Sequence, residues 1–276
     1  MRALVLAVAL VGCADVERVA PRLMCHNSNC AHSDPTRDDT LEALRESLAL
    51  QLDGRALIDG TEIDLIWEPT ARRCAFEHDL ADAATAPDPR EAVDLVAAYL
   101  RDRRDRASWN RTEFALKLEL KVGAAPDARP LEPDEAVALA QCAVDLAERA
   151  EAAASDAGLR IAVMFESQEI AQLRALSQTR GWVAEKVGPR RPRQLVVDGW
   201  REVDGLVPEI GVITLGWKEA SDGDHERYRM ERDRGVDLMM WVHDANEEAL
   251  AIFDYVEPAY INANEAPMLR RWIEAH

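Results

Sequence analysis

Two apolar stretches of this 276-residue chain carry acids where a buried strand would carry Val or Leu. One is Gly60-Thr-Glu-Ile-Asp64, followed by Glu77-His78-Asp79; the other is Phe114-Ala-Leu-Lys-Leu-Glu-Leu-Lys121. Side chains two apart on a strand share a face. Glu62 and Asp64 therefore point one way, and Ile63 and Leu65 the other. Glu119 and Lys121 share a face in the same manner, opposite Leu118 and Leu120. The flanking residues are too apolar for solvated edge strands. A bare carboxylate buried on such a strand is costly unless it is paired or holds a metal. Three acids, a lysine and a nearby histidine point to a site for a hard cation with oxygen ligands.

The rest of the chain alternates strand and helix signals. Strands are predicted at Leu23–His26, Thr61–Trp67, Phe114–Val122, Ile161–Phe165, Trp182–Val187, Ile210–Leu215, Val236–Val242 and Ala259–Asn262. A short extended piece at Cys74–His78 lies beside the second of them. Asp39-Thr-Leu-Glu42 resembles a capping box, opening a helix that runs to about Leu52. Asp88-Pro-Arg-Glu91 opens another, to about Arg104, and Pro133 begins a long alanine-rich helix to Ala154. Further helices are predicted at Ser167–Thr179, near His225–Arg234, at Asn246–Val256 and at Pro267–Ala275. Gly188–Pro208, with three prolines and no period, reads as a long loop. Eight strands alternating with helices in a chain of this length predict a single-domain α/β fold, a (β/α)8 TIM barrel. A doubly wound open sheet is the rival, but no glycine-rich phosphate loop follows the first strand. In a barrel, His26, Glu62, Asp64, Glu119, Lys121, Glu166, Lys186, Trp217, Trp241 and Asn262 all fall toward the mouth at the C-terminal strand ends.

A net charge of -18 argues against a nucleic-acid partner, which needs a basic stripe. Residues 1–12, Met-Arg followed by an apolar run, have the layout of an export signal and are too short to span a bilayer. Leu10-Val-Gly-Cys13 resembles a bacterial lipobox, with Cys13 the lipidated residue. Cys25, Cys30, Cys74 and Cys142 then remain, and four cysteines allow three pairings. Cys25 and Cys30 are close enough to staple the loop after the first strand. Cys142 shares a helical face with Leu139, Ala143 and Leu146 and reads as a core residue.

With these residues in place, the chain resembles the glycerophosphodiester phosphodiesterase superfamily of phospholipase-C-like barrels. The pattern is a histidine after the first strand (His26), Glu-x-Asp on the second (Glu62, Asp64) and then His-Asp (His78, Asp79). A Glu-x-Lys on the third (Glu119, Lys121) and a tryptophan ending the seventh (Trp241) complete it. The likeness runs from about Leu23 to Trp272, within a barrel domain of residues 22–276. Two positions depart from it. Asn27 stands where an arginine usually follows the histidine, a feature closer to the sphingomyelinase D branch, and Asn262-Ala263 replaces a Thr-Asp.

The resemblance implies metal-dependent hydrolysis of glycerophosphodiesters or lysophospholipids. Glu62, Asp64 and Glu119 would hold Mg²⁺ or Ca²⁺, with His26 and His78 as acid and base. Lys121, Asn27 and Trp241 would bind substrate. Asp79 would orient His78. The alternatives are a sphingomyelinase-D-like phospholipase and a barrel without chemistry that binds ligands at a cell surface. A lipid-anchored monomer exported to the bacterial periplasm or cell surface fits all three. His32, His225 and His243 read as surface or loop residues. Trp67, Trp109, Trp182, Trp200 and Trp272 read as packing or surface residues.

Overall fold

Alternation along each strand builds the molecule, one face feeding a ring interior and the other an outer helical layer. The computed structural model describes residues 20–32, 34–103, 113–121, 130–179, 193–198, 210–216, 230–242 and 247–275. Among them are eight parallel strands: β1 (Arg22–Cys25), β2 (Gly60–Glu68), β3 (Glu113–Lys121), β4 (Arg160–Glu166), β5 (Arg193–Asp198), β6 (Ile210–Gly216), β7 (Asp237–Val242) and β8 (Tyr260–Ala263). Each pairs with the next, and β1 pairs with both β2 and β8, which closes the ring. The helices are α1 (Leu41–Ala49), α2 (Pro89–Arg103), α3 (Pro133–Asp156), α4 (Ile170–Gln178), α5 (Glu247–Val256) and α6 (Ala266–Ala275). The fold is the expected (β/α)8 barrel. The extended piece after β2 is also present, as Arg73–Phe76 paired antiparallel to it.

Leu23, Ile63, Leu118, Phe165, Ile213 and Ile261 turn outward into one large core beneath the helices. Met24, Ala115, Met164, Val196, Val212, Met239 and Tyr260 turn inward and fill the lower half of the barrel. Gly60 is required there: a Cβ at this position would sit 2.5 Å from the Ala115 carbonyl oxygen. Arg22 closes the floor, donating to the Tyr260 hydroxyl at 3.0 Å and pairing with Glu113 at 2.9 Å. Asp59 ties the floor to α6. It accepts from Arg270 at 2.6 Å and from the Leu23 amide at 3.1 Å, while Arg270 Nε donates to the Leu57 carbonyl.

Three expectations need correction. The fifth barrel strand is Arg193–Asp198, inside the segment read as a loop. Its apolar core, Leu195-Val-Val197, is short, and Pro192 just before it hid the signal. A proline outside the first residue of a strand removes no ladder donor. Cys142 is no plain core residue but forms a disulfide with Cys74, fastening α3 to the strand beside β2; Cys25 and Cys30 form the second. Thr40, not Asp39, caps α1, its hydroxyl accepting from the Ala43 amide at 3.1 Å. The helix ends at Ala49, and the next residues form a small hairpin, Gln51–Leu52 with Arg55–Ala56. The signal segment with Cys13, the predicted strand Trp182–Val187, and Trp109, Lys186, Trp200, Trp217, His225 and His243 lie outside the described residues. Among the described residues no helix is long and apolar enough to cross a membrane.

Candidate metal centre

Above the apolar floor the barrel interior becomes ionic. β2 and β3 run in register with Asp64 beside Glu119 and Glu62 beside Lys117. β3 and β4 align Glu119 with Glu166. The strict period of two therefore stacks Glu62, Asp64, Lys117, Glu119, Lys121 and Glu166 on one inner wall. All are buried, Glu62 and Asp64 completely. The acids are not on solvated strands.

Lys117 is the hub. Its ammonium lies 3.0 Å from Glu62, 3.1 Å from Glu119 and in tight contact with Glu166. Lys121 pairs with Glu119 at 2.7 Å and reaches Asp64 at 3.3 Å. Asn262 of β8 donates to the other oxygen of Glu62 at 2.5 Å. Burial works against the charge on Glu119, but Lys117 and Lys121 together hold it well below the usual carboxylate range. Burial lifts Glu166 to about 7, helped by Glu119 and Glu62 and opposed by Lys117. Burial also lifts Asp64 well above the usual range, and Asp39 adds to it.

Glu62, Asp64 and Glu119 each offer a carboxylate oxygen, and these oxygens lie within 4.8 Å of one another. Neither oxygen of Asp64 has a hydrogen-bond donor, although the side chain is fully buried. An all-oxygen set with an orphaned acid fits a hard divalent cation.

His26 follows β1 in a tight turn that the Cys25–Cys30 disulfide brackets. Its Nδ1 lies 2.8 Å from Asn264 Oδ1, and its ring packs against Trp241 with centroids 5.5 Å apart. Burial lowers the His26 pKa, which favours the neutral ring. His78 is half-buried; its Nδ1 pairs with Asp79 at 2.8 Å, the orientation expected of Asp79. The adjoining Glu77 amide donates to the Asp64 carbonyl at 3.3 Å, linking this turn to β2. Asn27 is turned elsewhere, donating to Asp38 at 3.2 Å from a left-handed backbone.

The structure thus brings together Glu62, Asp64, Glu119 and Lys121 on one wall, with Asn262 reaching Glu62 from β8, and His26 with Trp241. Glu166, which the sequence offered only as a strand-end residue, belongs to the same ionic wall. Sequence reasoning missed Lys117, Asn264 and Asp39. Lys117 was open to discovery, since it stands two residues before Glu119 in the same alternation. Asn264 and Asp39 sit in turns, where no periodicity reports direction.

No family model matches the chain, and no curated protein matches it in sequence. Solved structures do match in shape. A glycerophosphodiester phosphodiesterase from Parabacteroides distasonis superposes with a TM-score of 0.63 at 10% identity, covering 93% of this chain and 98% of that one. An Oleispira antarctica phosphodiesterase, solved with the product sn-glycerol-3-phosphate, gives 0.55 at 14% identity, covering 92% and 97%. A glycerophosphodiester phosphodiesterase from Thermotoga maritima gives 0.54 at 12% identity, covering 91% and 97%. The resemblance read from the motifs therefore holds at the level of the fold.

Proposed function

We propose that the chain is a metal-dependent phosphodiesterase of the glycerophosphodiester phosphodiesterase superfamily, acting on glycerophosphodiesters or lysophospholipids. The observation that carries this reading is the cluster of three carboxylate oxygens from β2 and β3 at the barrel mouth, on the motif positions of that superfamily. The shapes of the matching structures agree with it.

Glu62, Asp64 and Glu119 hold the cation, Mg²⁺ or Ca²⁺. When bound, it supplies Lewis-acid polarisation of a phosphoryl oxygen and offsets developing negative charge. Lys121 lends a second positive charge to the phosphate from beside Asp64. His26 is the base. Asn264 Oδ1 accepts from Nδ1, which leaves the lone pair on Nε2, and burial keeps the ring neutral. His78, held by Asp79 in a half-buried turn, is the acid that protonates the leaving oxygen. Trp241, its ring tilted against His26, forms an apolar wall for the headgroup.

The two disulfides fit an oxidising compartment. We therefore also propose that residues 1–12 direct export and that Cys13 carries a lipid holding a monomeric barrel at a membrane. Mass spectrometry of the mature N-terminal peptide tests this; an unmodified Cys13 in material from the native cell refutes the anchor.

A second reading rests on Asn27. No arginine stands beside His26, and the Asn27 amide is tied to Asp38. This is what a ligand-binding barrel without turnover would have. Protein lacking residues 1–13 would be assayed on glycerophosphocholine, lysophosphatidylcholine and sphingomyelin, with Mg²⁺, Ca²⁺ or EDTA. Metal-dependent turnover lost in Glu62→Gln and His26→Ala supports the hydrolase. Choline release from sphingomyelin alone would move the assignment to the sphingomyelinase D branch. Metal binding with no turnover on any of the three favours the binding barrel.

A further inference from the structure

The Lys117 ammonium touches acids on three neighbouring strands. Glu62 of β2 lies at 3.0 Å and Glu119 of β3 at 3.1 Å, and Glu166 of β4 is in the tightest contact of the three. The backbone register sets this convergence: β2 and β3 place Glu62 beside Lys117, and β3 and β4 place Glu119 beside Glu166. Lys117 is 2% exposed. A lysine is almost never buried so far unless it is paired, and here the three donors of one ammonium serve three carboxylates. Lys117 and Glu166 lie outside the Glu-x-Asp and Glu-x-Lys motifs, and the proposed mechanism uses neither.

This placement decides how two of the three proposed cation ligands are held. One oxygen of Glu62 faces Lys117, and the other accepts from Asn262 at 2.5 Å. One oxygen of Glu119 faces Lys117, and the other accepts from Lys121 at 2.7 Å. Both acids are thus gripped at both oxygens, and Lys117 is common to the two. Each carboxylate oxygen has two lone-pair sites, so one held by an ammonium keeps a site for a cation. Without Lys117, Glu62 and Glu119 would be like charges buried side by side and free to turn apart. The charge of the wall agrees with this role. Its four carboxylates and two ammoniums leave a formal excess of two negative charges, which one divalent cation neutralises.

We infer that Lys117, anchored by Glu166, is a positioning residue for the cation site: its ammonium pins Glu62 and Glu119 in the arrangement the divalent cation needs before the ion arrives. The inference rests on the metal reading of the preceding section and adds to it a residue from outside the motifs. Removing a group that orients a ligating side chain typically weakens metal affinity by roughly 10–100-fold. An ammonium that acted only as a nearby charge would do the opposite, because its removal would draw the cation in more strongly. The sign of the effect separates the two roles.

The test measures binding, not turnover. Metal-stripped wild type, Lys117→Met, Lys117→Met/Glu166→Gln and Arg270→Met would be titrated with Mg²⁺ and Ca²⁺ by calorimetry, with a melting curve for each. Methionine keeps an unbranched chain without the charge. The double variant removes one ammonium and one carboxylate together, so the formal charge of the wall stays as in wild type. Arg270→Met breaks a buried ion pair at the floor and controls for lost stability. The expected result is cation affinity weakened about tenfold or more in both Lys117 variants and unchanged in Arg270→Met. Tighter binding in Lys117→Met with wild-type affinity in the double variant would make Lys117 a bystander charge and overturn the positioning role. A lowered melting temperature with wild-type affinity would make it a structural residue and overturn the role as well. So would failure of both Lys117 variants to fold while Arg270→Met folds. An equal loss of affinity in Arg270→Met would trace the effect to stability, with the same consequence. If wild type binds neither cation, the metal reading itself falls, and the role of Lys117 with it.

Discussion

Asp59 and Asp64 lie five residues apart, are both fully buried, and meet opposite fates. Asp59, at the floor of the barrel, is gripped by Arg270 at 2.6 Å and by the Leu23 amide at 3.1 Å. Asp64, at the mouth, has only an ammonium at 3.3 Å and no hydrogen-bond donor on either oxygen. The floor shows what a buried charge looks like when it serves the fold: a guanidinium partner whose Nε is also used, on the Leu57 carbonyl. The mouth shows charges assembled beyond what their own lysines satisfy. Two donors on one oxygen of Asp59 against none on either oxygen of Asp64, rather than burial or charge, separate the binding end of this barrel from the structural end.

The comparison is broken most directly by removing one partner from each end. Arg270→Met leaves Asp59 buried and uncompensated, and should cost about 3–5 kcal/mol in chemical denaturation, with or without divalent cation. Asp64→Asn removes a charge that the metal-free protein does not satisfy. Its metal-free stability should be unchanged or higher, while Mg²⁺ or Ca²⁺ no longer raises its melting temperature. Loss of stability in metal-free Asp64→Asn comparable to that of Arg270→Met would erase the distinction between the two ends.

Much of this contrast was legible in the sequence, for a reason that also explains what was not. β2 and β3 are nine residues each, long enough for a period of two to declare which residues face inward. The sequence alone therefore groups Glu62 with Asp64 and Glu119 with Lys121. Lys117 obeys the same period. It went unread because a lysine two residues before an acid looks like an ordinary alternating strand until the opposing Glu62 and Glu166 are in place. β5 is six residues, with a register shift at Leu195/Val196 and a proline just before it, so its period never became visible. Asp39 was read as part of a capping box because sequence shows spacing but not the sign of φ. At +55° its backbone is left-handed, and Thr40 takes the cap instead. The Cys74–Cys142 bridge joins residues 68 apart, a pairing that helical periodicity around Cys142 could only present as core packing.

A smaller effect sharpens the comparison from the floor upward. Gly60 begins the strand that carries Glu62 and Asp64, and a methyl group there would press on the Ala115 backbone at 2.5 Å. Backbone cannot swing aside as a flexible side chain can. Gly60→Ala should cost about 3 kcal/mol, the upper part of the usual range for overpacking. Because β2 and β3 are paired from Gly60↔Ala115 up to Asp64↔Glu119, separation at the floor also splays the mouth. Cation affinity should fall together with stability. A Gly60→Ala protein that is destabilised but keeps wild-type affinity would show the two ends to be mechanically independent.

The smallest effect expected is a pH dependence that belongs to the mouth alone. Burial raises Glu166 in the folded protein from 4.5 to about 7, so the folded state holds this proton more tightly than the unfolded chain does. Its contribution to stability is fully present below about pH 4.5 and is lost as pH rises through about 7. Lys117 limits that loss by staying charged beside it, held above the usual range by Glu166, Glu62 and Glu119 against the effect of burial. Glu166→Gln keeps the shape of the protonated acid and cannot ionise. In metal-free protein, the stability difference between wild type and Glu166→Gln should grow in favour of the variant by roughly 1–2 kcal/mol between pH 5 and 7.5. The same substitution should leave the Arg270→Met penalty at the floor unchanged, since the two sites share no partner. Parallel stability–pH curves for wild type and Glu166→Gln would mean that Lys117 keeps Glu166 ionised throughout. Glu166 would then be a carboxylate gripped by Lys117 as Asp59 is gripped by Arg270, and the acids without a hydrogen-bond donor on either oxygen would be Asp39 and Asp64.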